Sequence, residues 1–183
     1  NPLWATCQEL EIPVNFHGSG GAPKMRIEIL KGTSFRRSRA LTGTIGFNLQ
    51  AQFYANFLLS GMLDRFPKLT FVCAESGIGW VPYLLEMCDY EWEKCDLAHH
   101  GLPRKPSEIF KAQCYIDFWY EKLGLAYRHT IGVDRLLWET DYPHPTSIWP
   151  DSTKWLDWSL EGVPDDERHQ ILFENPRKAY GLS

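Results

Sequence analysis

At 183 residues, with 44% hydrophobic and 23% charged side chains, the chain has the size and composition of one soluble domain able to bury a core. Its formal net charge of -4 leaves no basic excess for nucleic acid, and no apolar run nears the roughly 18 residues of a bilayer-spanning helix. Nucleic-acid and membrane partners are therefore not expected. The first residues do not form a signal-peptide pattern, and an Asn-Pro start without Met points to a segment missing upstream. Five cysteines, odd in number and with no Cys-x-x-Cys pair, fit a reduced, cytoplasmic chain better than a disulfide framework. The eight tryptophans sit mostly among apolar neighbours and read as core or pocket wall.

In chain order, residues 2–10 suit a short helix with Asn1 as N-cap and Pro2 in its first turn. Residues 12–17 form a short apolar strand that ends on His17 and leaves through Gly18-Ser19-Gly20-Gly21, a sharp exit. Residues 22–45, basic around Arg36–Arg39, show no clean period. Phe47 to Phe66 reads as one long amphipathic helix, with Phe53, Phe57, Leu58 and Met62 on its apolar face. The near-continuous apolar run 69–74 has the look of a strand buried on both faces of a parallel sheet. A helix follows over 81–95, then a loop over 99–106 with two prolines, and Ser107 opens another short helix. Residues 113–118 form a strand, 121–129 a helix, and 133–138 lead into a strand ending at Glu139-Thr140-Asp141. Two helices, 153–160 and 165–173, and a helical turn near Lys178 close the chain.

Strands alternating with helices predict βαβ units and a parallel sheet. About four such units fit half of a (β/α) barrel of the TIM type or a small open sheet, since a complete barrel takes about 250 residues. Active sites of such folds gather at the C-terminal ends of the strands. The residues there are His17, Glu75, Asp117 and Asp141, one imidazole and three carboxylates, the types that a hydrolytic metal site uses. Each also has a plainer reading. A lone strand-end histidine is more often a structural residue than a ligand; Asp141 can cap the next turn, and Glu75 can favour the dipole of the next helix. Asp117, ahead of Phe118-Trp119-Tyr120, can mark a sheet edge. His144 falls in the loop after Asp141, towards a pocket mouth, and His99 and His100 read as solvated loop residues.

The run IGVDRLLWETDYPH over residues 131–144 closely resembles the last barrel strand of the amidohydrolase-related family, which includes aminocarboxymuconate semialdehyde and γ-resorcylate decarboxylases and various hydrolases. Residues 66–72 with Glu75-Ser76-Gly77 and Trp80-Val81-Pro82 are similar to its sixth strand and helix. Residues 13–17 resemble its fifth strand, and Glu174-Asn175-Pro176 with Tyr180-Gly181-Leu182 its closing helix. The likeness covers nearly the whole chain and implies that residues 1–183 are one domain, the C-terminal portion of such a barrel. It implies a metal-ligand role for His17 and Asp141, with Asp141 also accepting a proton. The cofactor implied is a divalent metal, zinc or alternatively manganese, which polarises a substrate oxygen and acidifies water.

Two departures matter. No His-x-His pair of the family's first strand is present, so the first four strands read as missing. Glu75 stands where many members carry a catalytic histidine, which favours general acid/base work in hydrolysis over imidazolium-type proton delivery in decarboxylation. The expected activity is a metal-dependent hydrolase or decarboxylase acting on a small carbonyl or carboxylate compound, with Asp141 and Glu75 catalytic and His144 and Trp119 in the substrate pocket. Two other readings compete: a non-catalytic half-barrel whose open edges favour homo-oligomers, and an open-sheet binding domain in which Asp141 is structural.

Overall fold

The apolar runs Phe71–Ala74 (β2) and Cys114–Phe118 (β3) form the middle of a four-stranded sheet in a computed structural model of the chain, which describes residues 1–17 and 34–182, apart from the side chains of Thr42 and Phe47. Val14–His17 (β1) and Leu136–Trp138 (β4) are its edges. All pairings are parallel and follow chain order, with His17 opposite Ala74, Cys73 opposite Ile116 and Asp117 opposite Leu137. Asp117 thus lies in an inner strand, which corrects its reading as an edge marker. The glycine-rich turn at 18–21 and the stretch 22–33 lie outside the described residues.

Asn1 accepts from the Leu3 N–H and caps Pro2–Glu9 (α1), as its sequence predicts. The long helix differs from expectation. It runs Phe35–Leu59 (α2), starting twelve residues before Phe47 and stopping before Gly61, whose φ of 69° ends the helical path. A separate turn, Met62–Arg65 (α3), follows. Val81–Lys94 (α4) and Pro106–Gln113 (α5) are as expected, each with proline in its first turn. Residues 121–129 form two four-residue turns, Leu123–Ala126 (α6) and Arg128–Ile131 (α7), instead of one helix. Ser152–Ser159 (α8) precedes a continuous helical run: Asp165–His169 (α9), a π turn over Gln170–Glu174, and Asn175–Tyr180 (α10).

Strand alternation splits the sheet into two faces. Phe71, Cys73, Cys114, Ile116, Phe118 and Leu136 join Tyr54 and Phe57 of α2, Val81 and Leu85 of α4, and Ile109 and Phe110 of α5 in the main core. Phe16 stacks on Phe53 with ring centroids 3.4 Å apart, which fixes β1 against α2. On the other face Val72, Tyr115 and Leu137 pack with Ala179 of α10. The Tyr180 hydroxyl donates to Asn15 Oδ1 at 2.7 Å, and Asn175 Nδ2 donates to the carbonyls of Val133 (2.7 Å) and Leu136 (2.8 Å). α10 therefore ties β4 to β1 across that second face. No helix among the described residues is long and apolar enough to cross a membrane.

Candidate metal centre and cleft

Where β2 and β4 end, the backbone turns through two left-handed residues that are not glycine, Glu75 (φ 53°) and Asp141 (φ 55°). Such conformations cost free energy, on the order of 1 kcal/mol or more, and cluster where a fold aims side chains at a site. Parallel pairing puts His17 beside the end of β2, and its Nε2 meets Glu75 Oε2. Glu75 Oε1 lies 3.5 Å from His144 Nδ1, which is 2.9 Å from Asp141 Oδ2 and 2.7 Å from Thr146 Oγ1. The Thr146 hydroxyl donates to the same Asp141 oxygen. The two carboxylates are 13% and 12% exposed and the two imidazoles 59% and 55%, so acid groups form the floor and imidazoles the rim.

Glu75, Asp141 and His144 each offer one ligand atom, and these atoms lie within 4.8 Å of one another. Two carboxylates and an imidazole are hard and borderline donors of the kind zinc and manganese accept. The arrangement fits a divalent ion. His17 is not one of the three and reaches them through Glu75.

Beneath this layer Asp117, 6% exposed, faces Glu139. Burial raises the Asp117 carboxyl well above its ordinary range, and the Glu139 charge adds to the rise. Burial likewise lifts Glu139 to about 7, with further push from Asp141 and Glu75. Asp117 Oδ1 and Glu139 Oε1 have no donor among the described residues. One proton shared between the two carboxyls gives both orphan oxygens a partner and removes a like-charge repulsion.

The site opens into a cleft of about 1240 Å³. His17, Glu75, His144 and Thr146 line one side with Trp119 and Tyr120, whose rings meet edge-on at 5.0 Å. α2 lines the other. Behind the wall, the Glu121 carboxylate accepts from the N–H groups of Ile78 (2.7 Å) and Gly79 (3.0 Å), locking the β2–α4 loop to the segment after β3.

Of the residues singled out in the sequence, Glu75, Asp141, His144 and His17 converge, Trp119 lines the same cleft and Asp117 sits below. The capping reading of Asp141 also has substance, because its carbonyl accepts from the His144 N–H at 2.9 Å. His99 pairs with Asp96 at 2.7 Å on the exposed surface, away from the site's residues. Glu139 and Thr146 escape a reading of the sequence for strand-end residues. Counting two residues on from Leu137 places Glu139 on the face of Asp117 and signals it; nothing local signals Thr146.

The sequence model of a family described as Amidohydrolase matches residues 1–182. A curated relative, a gamma-resorcylate decarboxylase from Polaromonas sp. (strain JS666), is 28% identical over 149 residues, 78% of this chain and 43% of its own length. Among solved structures, an amidohydrolase from Mycobacterium avium subsp. paratuberculosis K-10 superposes with TM-score 0.73 at 21% identity, covering 99% of this chain and 45% of that one. A dihydroxybenzoic acid decarboxylase from Polaromonas sp. JS666, solved with manganese and 2-nitroresorcinol, gives 0.70 at 19% identity, covering 99% and 53%. A 5-carboxyvanillate decarboxylase from Sphingomonas paucimobilis gives 0.69 at 20% identity, covering 100% and 53%. The chain thus spans about half the length of these relatives and shares their fold along nearly all of its own. It belongs to the amidohydrolase family.

Proposed function

We propose that the chain carries part of the divalent-metal centre of an enzyme that hydrolyses or decarboxylates a small carbonyl or carboxylate compound. The supporting observation is the convergence of Glu75, Asp141 and His144 at one end of a parallel sheet. These three residues would hold the ion, zinc in the first instance and manganese in the second. The ion supplies Lewis-acid polarisation of a substrate oxygen. Asp141, fixed by Thr146 and His144, is the proton acceptor. Glu75 bridges the two imidazoles and orients both. His17, which the sequence resemblance casts as a ligand, holds Glu75 in this arrangement. Trp119 and Tyr120 form an apolar wall that excludes water beside the reacting group. The carboxylate at position 75 favours hydrolysis, while the decarboxylase relatives favour loss of CO2.

In this reading the sheet is four consecutive strands of a (β/α) barrel and residues 1–183 are one domain of it. The chain order of the strands and the parallel pairing support that assignment. All five cysteines are free thiols, in keeping with a cytoplasmic location. The open edges at β1 and β4 suit homo-oligomers.

The test is elemental analysis of the purified 183-residue chain and its variants after removal of loosely held ions. The expected result is close to one zinc or manganese per chain, lost in Glu75→Gln and Asp141→Asn and weakened in His17→Ala. Retention of metal in both carboxylate variants contradicts the assignment.

A further inference from the structure

The side of the cleft opposite the strand ends is one face of α2, and its composition is unusual for a helix wall. Arg36, Arg39, Ala40, Gly43, Gly46 and Gln50 all line the cavity, and steps of three, one, three, three and four residues keep them on one helical face. Arg36 and Arg39 make no ion pair among the described residues, although each brings a full charge to the cavity. They stand in the first turns of a 25-residue helix, where the backbone N–H groups add positive potential. Below them the helix is bare. Among the described residues, a Cβ added at Gly43 or Gly46 meets nothing within 4 Å. Two glycines inside a helix are costly, and among the described residues no side chain packs against them. At the bottom, Gln50 is 1% exposed, and its Nε2 has no hydrogen-bond partner among the described residues, while its Oε1 accepts from Cys73 Sγ at 3.9 Å. A buried amide donor left without an acceptor at the wall of a cavity is costly until a ligand supplies the acceptor.

The two walls therefore differ in sign. Glu75 lines the strand-end wall and makes it negative, and the guanidiniums make the helix wall positive. We infer that this face of α2 is an oxyanion-binding subsite that sets the orientation of the ligand. Arg36 and Arg39 take a carboxylate or phosphate, the bare stretch at Ala40, Gly43 and Gly46 receives a flat apolar body, and Gln50 Nε2 donates to an oxygen on it. Arg39 and Gln50 are separated by about 16 Å along the helix axis, so a ligand that uses both ends is elongated, with its negative group at the α2 N-terminal end. The substrate class is an organic anion whose charge is remote from the reacting group. This rests on reading the cleft as the substrate site but does not depend on a bound ion.

Calorimetric binding to the metal-free chain tests it with three probes of one shape: 4-biphenylcarboxylate, biphenyl-4-yl phosphate and the neutral biphenyl-4-methanol. The expected result is that both anions bind at least tenfold tighter than the alcohol, the tighter of the two naming the anion. Arg36→Ala/Arg39→Ala is expected to raise Kd for the anions tenfold or more and for the alcohol less than twofold. Gln50→Met weakens binding without lowering the melting temperature. Gly43→Leu weakens all three probes while raising the melting temperature, an outcome that a purely structural glycine would not give. Equal affinity for alcohol and anions, an arginine effect below twofold, or no binding of any probe overturns the subsite. If the anions bind as predicted but no metal is ever retained, the subsite stands and the metal-centre reading fails.

Discussion

Phe71, Cys73, Cys114, Ile116, Phe118 and Leu136 turn one face of the sheet to α2, α4 and α5, whereas Asn15, His17, Val72, Tyr115, Asp117 and Leu137 turn the other towards α10 and the strand-end carboxylates. The first face carries only apolar side chains and thiols, buried in the two inner strands and partly buried at Val14, Phe16 and Trp138 on the edges. The second mixes a small apolar patch with acid groups pushed out of their ordinary range. Neighbouring residues in one strand thus serve opposite ends: Ile116 stabilises, and Asp117 beside it joins Glu139 in a buried carboxyl pair. The difference teaches that the chemistry here is written at alternate positions of otherwise apolar strands, and that stability on one face offsets the cost of crowded carboxyls on the other.

Substitution at Ile116 tests the first face and has the largest expected effect. Ile116→Ala removes buried methyl groups from a site with no exposure and should lower unfolding free energy by about 2–5 kcal/mol in urea titration. A change below about 1 kcal/mol would mean that this face is loosely packed.

Glu139 tests the second face through pH. Its folded value, about 7, lies above its ordinary 4.5, so the folded chain binds this proton more tightly than the unfolded one. The stability it contributes is complete below pH 4.5 and is lost as pH rises through 7. In the metal-free chain, Glu139→Gln should therefore gain on the parent as pH rises, by on the order of 3 kcal/mol at about pH 8. Below pH 4.5 that advantage should vanish. A gap that does not vary with pH would break the paired-carboxyl account.

The smallest effect belongs to the tie between β4 and β1. Tyr180→Phe removes the hydrogen bond to Asn15 and should cost about 1 kcal/mol, with the metal content unchanged. A loss of metal in this variant would mean that α10 also shapes the site.

Much of this architecture is legible in the residues themselves. β2 and β3 are continuous apolar runs because both faces are covered, and a buried strand has no reason to end on Glu75 unless the end has a use. His17, Glu75, Asp117 and Asp141 follow from that logic. The first twelve residues of α2 do not, because Arg36, Arg39, Gly43 and Gly46 give no apolar period; that face borders a cavity instead of a core. The π turn at Gln170–Glu174 has no pattern in side-chain type, since it changes only which carbonyl each N–H meets. The break at Gly61 is visible as a glycine but is outweighed by the apolar run on both sides. Sequence places His144 near the pocket, yet its approach to Asp141 and Glu75 requires the turn that folds it back on Asp141.

The most direct test of the metal centre is a titration of Mn2+ into the metal-free chain, followed through the imidazole proton resonances of its six histidines. A bound paramagnetic ion at Glu75, Asp141 and His144 should broaden His144 first and His17 with it at less than one equivalent, leaving His99, His100, His129 and His169 sharp. Broadening that begins at His99 or His100, or that affects all six alike, would contradict the assignment.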